Sequence, residues 1–415
     1  MRSAAELDAA DPLRAYRDEF VISDPEVCYL DGNSLGRLPK RTVDIVHRYL
    51  TEEWGSELVT GWSHWIDEAQ RVGDLIGRVA LGAAAGQTLA VDTTSTNFYQ
   101  LCDAALRARP DAGTVLSDTA NFPTDRYILE GLCERYGKRL VLINDESDEE
   151  YVTPAMLAEH LNRDIALVTL SVVQYRSGAL HDVRQLTRKA HDAGALVVWD
   201  ASHAVGVVDM QFDADDVDLA VGCTYKYGNS GPGSPAWLYV NKRLQQSLRV
   251  PIQGWFAQRD QFAMGQGFDR ADGMRGFQIA SPSIVGMRCI EAAFGMIGEA
   301  GLPAIAAKAA LGTEMMVRLH DEWLAPLGFE LVTPRDPARR GGHVTLRHPD
   351  AKQIAVAMRE LVKVIPDYRE PSSIRLAMSP LATSFTEVWE GFDRIRRLVE
   401  SKKYGDVRSA GSRVT

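Results

Sequence analysis

The chain has 415 residues, 45% hydrophobic and 25% charged, with 56 acidic against 46 basic side chains. That length suggests two or three domains and allows a large core, and the formal charge of −10 argues against a general nucleic-acid or membrane-surface binder. No apolar run approaches the roughly 20 residues that span a bilayer, and the opening MRSAAELDAADPLRAYRDEF is charged throughout, with no apolar signal core. A cytoplasmic protein with neither membrane nor nucleic-acid partners is expected. Cys28, Cys102, Cys133, Cys223 and Cys289 are odd in number and scattered, with no CxxC or Cys/His cluster. Neither a disulfide framework nor a metal site is expected.

Between about 85 and 240, short apolar runs alternate with helical patterns. Strands are predicted over 114–117, 139–143, 165–170, 195–199, 219–221 and 236–240. A helix is predicted over 184–193, where Leu186 and Ala190 stand four apart. Such alternation implies a mostly parallel sheet covered by helices. Buried parallel strands read as unbroken apolar runs, as these do. From 284 to 319 the pattern is Ala-rich and helical, broken at Gly301-Leu302-Pro303. Strands then follow over 329–333, 343–346 and 374–377, with helices over 351–362 and 385–401. The expected fold class is α/β, a large domain with a mostly parallel sheet plus a small C-terminal α/β domain. The boundaries are set at 1–60 for an N-terminal segment joining the small domain, 61–290 for the large domain, 291–401 for the small domain and 402–415 for a frayed polar tail.

The strongest chemical signal is Val197-Val198-Trp199-Asp200-Ala201-Ser202-His203. A strand ends in an Asp, with a His three residues on, where open α/β sheets bind ligands. Next comes Tyr225-Lys226-Tyr227-Gly228-Asn229-Ser230-Gly231-Pro232-Gly233, a Lys after a small apolar strand with a Gly-rich loop behind it. A lysine in a low-dielectric site loses its proton more easily and can form a Schiff base. An Asp can pair with a protonated pyridine nitrogen, as pyridoxal phosphate enzymes require. Alone, the Asp reads as a helix cap and the Lys as surface; the joint pattern is much rarer. Arg375, flanked by Ile374 and Leu376, needs a buried partner. His47, His160 and His320 read as surface residues. His64 sits between Trp62 and Trp65, which suits an aryl pocket.

Four stretches resemble the kynureninase family: Tyr29-Leu30-Asp31-Gly32-Asn33-Ser34-Leu35-Gly36, Asn121-Phe122-Pro123-Thr124-Asp125, Asp200 to Gly206 and Tyr225 to Gly233. They follow the family's motif order, and the likeness runs from about 28 to 386. It implies pyridoxal phosphate-dependent homodimers of aminotransferase fold type I, which hydrolyse kynurenine or 3-hydroxykynurenine to L-alanine and an anthranilate. Family members serve tryptophan breakdown, NAD synthesis and, in some bacteria, antibiotic precursor supply. The likeness implies that Lys226 holds the cofactor and moves the α-proton, that Asp200 pairs with the pyridine nitrogen and that His203 lies beside the cofactor. It places Thr94 and Ser95 at the phosphate, Phe122 on the ring, Thr124 and Asp125 at the ring substituents, and Ser171 in a cofactor-facing tract. Tyr225 is implied at the phosphate and as a proton donor. Trp255 and Ser281 match positions that the partner subunit contributes. Arg375 matches the grip on the substrate carboxylate, where a planar fork binds well. Asn33, Ser34 and His64 complete the expected substrate-side set.

Three positions depart from the family pattern. Gly254-Trp255-Phe256-Ala257-Gln258 lacks the family's final His, Ser281 stands for an Asn or Thr, and Ser56 stands where some hydroxykynurenine-preferring members carry His. These concern the aryl group, so a ring-hydroxylated or ring-methylated kynurenine stays open. Rival readings are another fold type I enzyme (a desulfurase, C–S lyase or epimerase) and a catalytically silent binding protein. A desulfurase needs a mobile late cysteine, whereas the only cysteine after Lys226 is Cys289, in an apolar helix-like stretch.

Overall fold

The computed structural model describes residues 3–144 and 150–407. Its large sheet consists of β1 (Thr88–Ala90), β2 (Thr114–Asp118), β3 (Arg139–Ile143), β4 (Ile165–Ser171), β5 (Leu196–Asp200), β6 (Leu219–Gly222) and β7 (Trp237–Val240), ordered β1-β7-β6-β5-β4-β2-β3. Pairing is parallel from β3 through β2, β4 and β5 to β6. Only β7 runs against its neighbours, β6 and β1. Every residue of β2, β4 and β6 is buried, which is why these strands lack a polar–apolar alternation.

Helices α1 (Thr94–Ala108), α2 (Pro123–Tyr136) and α3 (Val183–Asp192) follow β1, β2 and β4. The hydroxyl of Thr93 caps α1 by accepting from Thr96 N at 3.2 Å. Phe98, Leu101 and Ala105 of α1 join the large core, at the three-to-four spacing that makes one helix face. Pro123 opens α2, and Gly137 at φ 61° closes it in the left-handed region. Leu186 and Ala190 of α3 are buried, on the side expected from their spacing.

Helix α4 (Ile284–Ala300) and helix α5 (Leu302–Leu319) meet at Gly301, at φ 80°. Ile297 and Ile305 belong to the large core and Met315 to a second, smaller one. The change of core therefore falls within α5, not at residue 290. The small sheet consists of β8 (Glu330–Leu331), β9 (His343–Arg347), β10 (Asp367–Arg369) and β11 (Ser373–Ala377), antiparallel in the order β10-β11-β9-β8. Helices α6 (Ala351–Val362) and α7 (Phe385–Glu400) supply Ile354, Met358, Val388 and Phe392 to its core. Each such side chain contributes about 1.5–3 kcal/mol by leaving water.

The first residues serve both cores. Asp8 accepts from Phe385 N at 2.7 Å and Thr386 N at 2.9 Å, placing an anion at the start of α7. Leu13 and Phe20 pack in the large core, Cys28 and Leu30 in the small one. Cys28–Tyr29 also pairs in parallel with Val364–Ile365.

Some sequence expectations change. The strand expected over 329–333 contracts to β8, because Phe329 N turns back to Leu324 O at 3.2 Å. His320 is not a surface residue: it is buried, with Nε2 3.1 Å from Phe329 O. Of the expected tail, 403–406 forms a short helical turn, and 408–415 lies outside the described residues. Among the described residues no single helix is long and apolar enough to cross a membrane.

Candidate active site

A cavity opens at the carboxyl edge of the large sheet, where the parallel strands end together. Ser171 ends β4 and Asp200 ends β5, paired in register. Thr94 and Ser95 open α1 just beyond β1, Phe122 precedes α2, and Tyr225 and Lys226 follow β6. All of these line the cavity, together with Thr124, Asp125 and His203.

Lys226 Nζ lies 2.8 Å from His203 Nε2. Burial disfavours charge on both. It lowers the lysine's pKa and holds the imidazole well below its ordinary range, helped by the lysine's own charge. His203 is therefore neutral. Asp200 Oδ1 accepts from Ser202 N at 2.7 Å. Burial, then the adjoining Asp200 carboxylate, pushes the Asp125 carboxyl well above the usual range, which favours one proton held on the hydrogen-bonded Asp125–Asp200 pair. The other oxygen of Asp125, Oδ2, is buried without a partner. Tyr225 keeps its phenolic proton, because the adjacent Cys223 and burial both raise its pKa.

Asn121 fixes two walls. Its Oδ1 accepts from Ser171 Oγ and from Phe122 N, each at 2.8 Å, and its Nδ2 donates to Ser117 Oγ at 3.0 Å. Phe122 is thereby held half-exposed, edge-on to Tyr175 with centroids 5.3 Å apart. At the start of α1 the Thr93 hydroxyl takes up the Thr96 amide, while the first amides of the helix have no intrahelical acceptor. Hydroxyls and amides in that arrangement hold a phosphate well.

The other expected residues lie outside this cavity. Arg375 is buried on β11, in register with Asp367 of β10, and its Nε pairs with the Asp367 carboxylate. Its Nη1 donates to the Tyr175 carbonyl, and its Nη2 donates to Ser34 Oγ at 3.1 Å and, with the Asn33 amide oriented to accept, to Asn33 Oδ1 at 3.3 Å. Asn33 and Ser34 are brought there by the glycine-rich loop 31–36. A Cβ on Gly36 would meet Lys226 O at 2.4 Å, and Gly36 N bonds Tyr225 O at 2.8 Å. Small-domain and lysine loops thus interlock through backbone contact that only glycine permits. His64, Trp255 and Ser281 are exposed away from the cavity, and His64 pairs with Glu57 at 2.7 Å. Sequence reasoning gave no role to Val173, Tyr175 or Ser202, which also line the cavity. Tyr175 carried a readable signal, an aromatic four residues after Ser171 in the cofactor-facing tract.

The family model of the kynureninase C-terminal domain matches residues 305–395. The kynureninase of Pseudomonas fluorescens is 34% identical over 408 residues, covering 97% of this chain and 96% of that one. The kynureninase of Burkholderia pseudomallei strain K96243 is 34% identical over 411 residues, with the same coverage. In fold, the chain resembles a cysteine desulfurase from Thermococcus onnurineus (TM-score 0.80, 18% identity, covering 97% and 99% of the two chains). It also resembles a cystine C–S lyase (TM-score 0.78, 16% identity, covering 90% and 98%). Identities this low speak to the fold alone.

Proposed function

The chain belongs to the kynureninase family, and on that premise we propose that it is a pyridoxal phosphate-dependent hydrolase that cleaves the Cβ–Cγ bond of a kynurenine-type amino acid, releasing L-alanine and an anthranilate. The observation that carries the reading is the convergence of Lys226, Asp200 and the α1 N-terminus on one cavity. The cavity suits the cofactor. Asp200 offers a carboxylate to a pyridine nitrogen, and the unpartnered Asp125 Oδ2 offers a further polar contact. Thr94 and Ser95 offer a phosphate cradle, and Phe122 a flat apolar face. When bound, the cofactor supplies an electron sink for bonds at the substrate α-carbon.

The chain's own residues divide the remaining work. Lys226, its proton affinity lowered by burial, takes a proton from the α-carbon and returns it. His203, neutral at 2.8 Å, accepts from Lys226 whenever that amine is charged. Asp200 keeps a positive charge opposite it, where it strengthens electron withdrawal. Tyr225, protonated and partly exposed at the cavity wall, donates to the substrate carbonyl or β-carbon. Arg375 meets the substrate carboxylate by exchanging its Nη2 contacts to Ser34 and Asn33 for it, while Asp367 keeps its Nε.

Trp255, Ser281 and His64 fit a role across a homodimer interface. Trp54, Leu58, Val59, Trp255, Phe262 and Met264 are large apolar side chains left exposed, and Trp255 stacks edge-on to Phe262 at 5.9 Å. All five cysteines are free, as suits a reducing cytoplasm. The substrate's ring substituent rests on the positions around Ser56, Gln258 and Ser281. The desulfurase alternative is weakened because Cys289 lies inside α4. Steady-state release of L-alanine from kynurenine, 3-hydroxykynurenine and a ring-methylated kynurenine tests the reading. Turnover of none of the three, with cofactor bound at Lys226, refutes it.

A further inference from the structure

Asp31 opens the glycine-rich loop 31–36, buried and bridged to Ala377 at the end of β11. Its carboxylate takes a hydrogen bond from the Ser34 hydroxyl, while Oδ1 is buried without a partner. Ser34 therefore turns its proton toward Asp31 and its lone pair toward Arg375 Nη2, 3.1 Å away. Arg375 and Arg369 act on Asp31 as charges through space. Asp367 is held differently, since Arg375 Nε and Arg369 Nε both meet its Oδ2, the latter at 3.0 Å.

The cluster is balanced as it stands. Two carboxylates, Asp31 and Asp367, face two guanidiniums, Arg369 and Arg375. Tyr29, just before the loop, and Tyr227, from the lysine loop, also face Asp31, and burial keeps both phenols protonated. A substrate carboxylate on Arg375 Nη2 would make three anions against two cations, with Arg375 fully buried. An uncompensated buried charge is costly, and a titratable group takes up a proton instead. Asp31 is the least firmly held of the three anions. Asp367 keeps two guanidinium nitrogens and the substrate has a third, whereas Asp31 has a hydroxyl. Burial, then the Asp367 charge, already raises the Asp31 carboxyl to about 6.

We infer that Asp31 takes up a proton when the substrate carboxylate binds, and so acts as a positioning residue: once neutral, it donates to Ser34 Oγ and frees that hydroxyl to donate to the carboxylate. The inference rests on the reading of Arg375 as the carboxylate grip. The proton comes from solvent. Arg375 Nη2 leaves Ser34 Oγ for the ligand, the Asp31 hydroxyl takes its place, and Ser34 keeps one bond accepted and one donated.

The test uses the holoenzyme and desaminokynurenine, which keeps the aryl ketone and carboxylate of a kynurenine but has no α-amine to titrate or react. Its dissociation constant should be level below about pH 6 and rise about tenfold per unit of pH above that. Calorimetry in buffers of different ionisation heat should show most of one proton taken up near about pH 7. Asp31→Asn, permanently neutral, should bind with the low-pH constant throughout and take up none. Asp31→Glu keeps an acid and should keep the uptake, with a protonated-carboxyl infrared band that no longer shifts on carbon-13 labelling of aspartate. Wild-type binding without proton uptake overturns the inference whether or not either variant folds. So does a folded Asp31→Asn that takes up as much as wild type, or a Glu variant whose band still follows the aspartate label. If desaminokynurenine does not bind at all, the inference falls with the carboxylate grip. A chain that binds it with proton uptake yet cleaves no kynurenine keeps this inference and loses the cleavage reading, so the two fail separately.

Discussion

Replacing Arg375 with lysine tests how the small domain is tied to the large one. Arg375 is buried and spends its fork on four groups: Asp367 within the small sheet, and Asn33, Ser34 and the Tyr175 carbonyl beyond it. A lysine preserves the charge opposite Asp367 but cannot span the other three, because an ammonium lacks the planar fork. Losing two or three hydrogen bonds from the charged fork, at about 1.5 kcal/mol each, the low end for a charged partner, gives an expected destabilisation of about 3–4.5 kcal/mol. Arg375→Leu goes further by also removing the partner of a fully buried carboxylate, by itself ordinarily a loss of about 3–5 kcal/mol. The low end applies, since Arg369 Nε remains 3.0 Å from Asp367. Urea unfolding followed by tryptophan fluorescence measures both variants, with the midpoint and slope giving the free energy. The apparent substrate constant is measured alongside and should rise in both, while cofactor retention stays unchanged, because Arg375 does not line the cavity. Variants within about 0.5 kcal/mol of wild type, with an unaltered substrate constant, would refute both the tether and the carboxylate grip.

Lys226→Ala should fold normally but retain no borohydride-stable cofactor adduct; an adduct mapped by mass spectrometry to another lysine contradicts the assignment. Asp200→Asn should lower turnover by roughly 10² to 10⁴-fold, as expected for a charge-stabilising group, and near-normal turnover in purified protein would count against it. Asp118 is raised by burial from 3.8 to about 7 despite its bonds from Gln174 and Ala120 N. The folded state therefore binds a proton that the unfolded state releases between those values, so this group's stabilisation is present below pH 4 and fades as pH rises toward 7, by up to about 4 kcal/mol. Asp118→Asn should flatten that decline in urea midpoints taken from pH 4 to 8, and an unchanged slope would show the group to be ordinary. On the homodimer proposed above, Trp255→Asp should lower the sedimenting mass from two chains to one, whereas an unaltered mass would count against an interface at Trp255.

The large sheet is legible in the chain because parallel strands buried on both faces must be apolar throughout. The runs at 114–117 and 165–170 mark the fully buried β2 and β4 almost residue for residue, whereas 139–143 marks the edge strand β3, of which only Ile143 is buried. Much of the cavity is legible for a related reason: Asp200, Tyr225 and Lys226 sit immediately after such runs, where chemistry at a sheet edge has to lie. Strands as short as β1 and β10, three residues each, carry no period to detect. His320 misleads because a lone histidine among polar residues gives no sign that a helix end turns it inward. The partners of Arg375 could not be read from its own neighbourhood either. That arginine announces a need for an anion, but Asp367 answers it only because β10 and β11 pair in that register. The approach of His343, the first residue of β9, to within 5.6 Å of His203 between ring centroids depends on how the small domain folds back over the lysine loop. Sequence determines what each segment must bury and which side chains cannot be buried unpaired. Packing decides which distant group satisfies them, because hydrogen bonds form between neighbours in space and the chain order carries no record of that proximity.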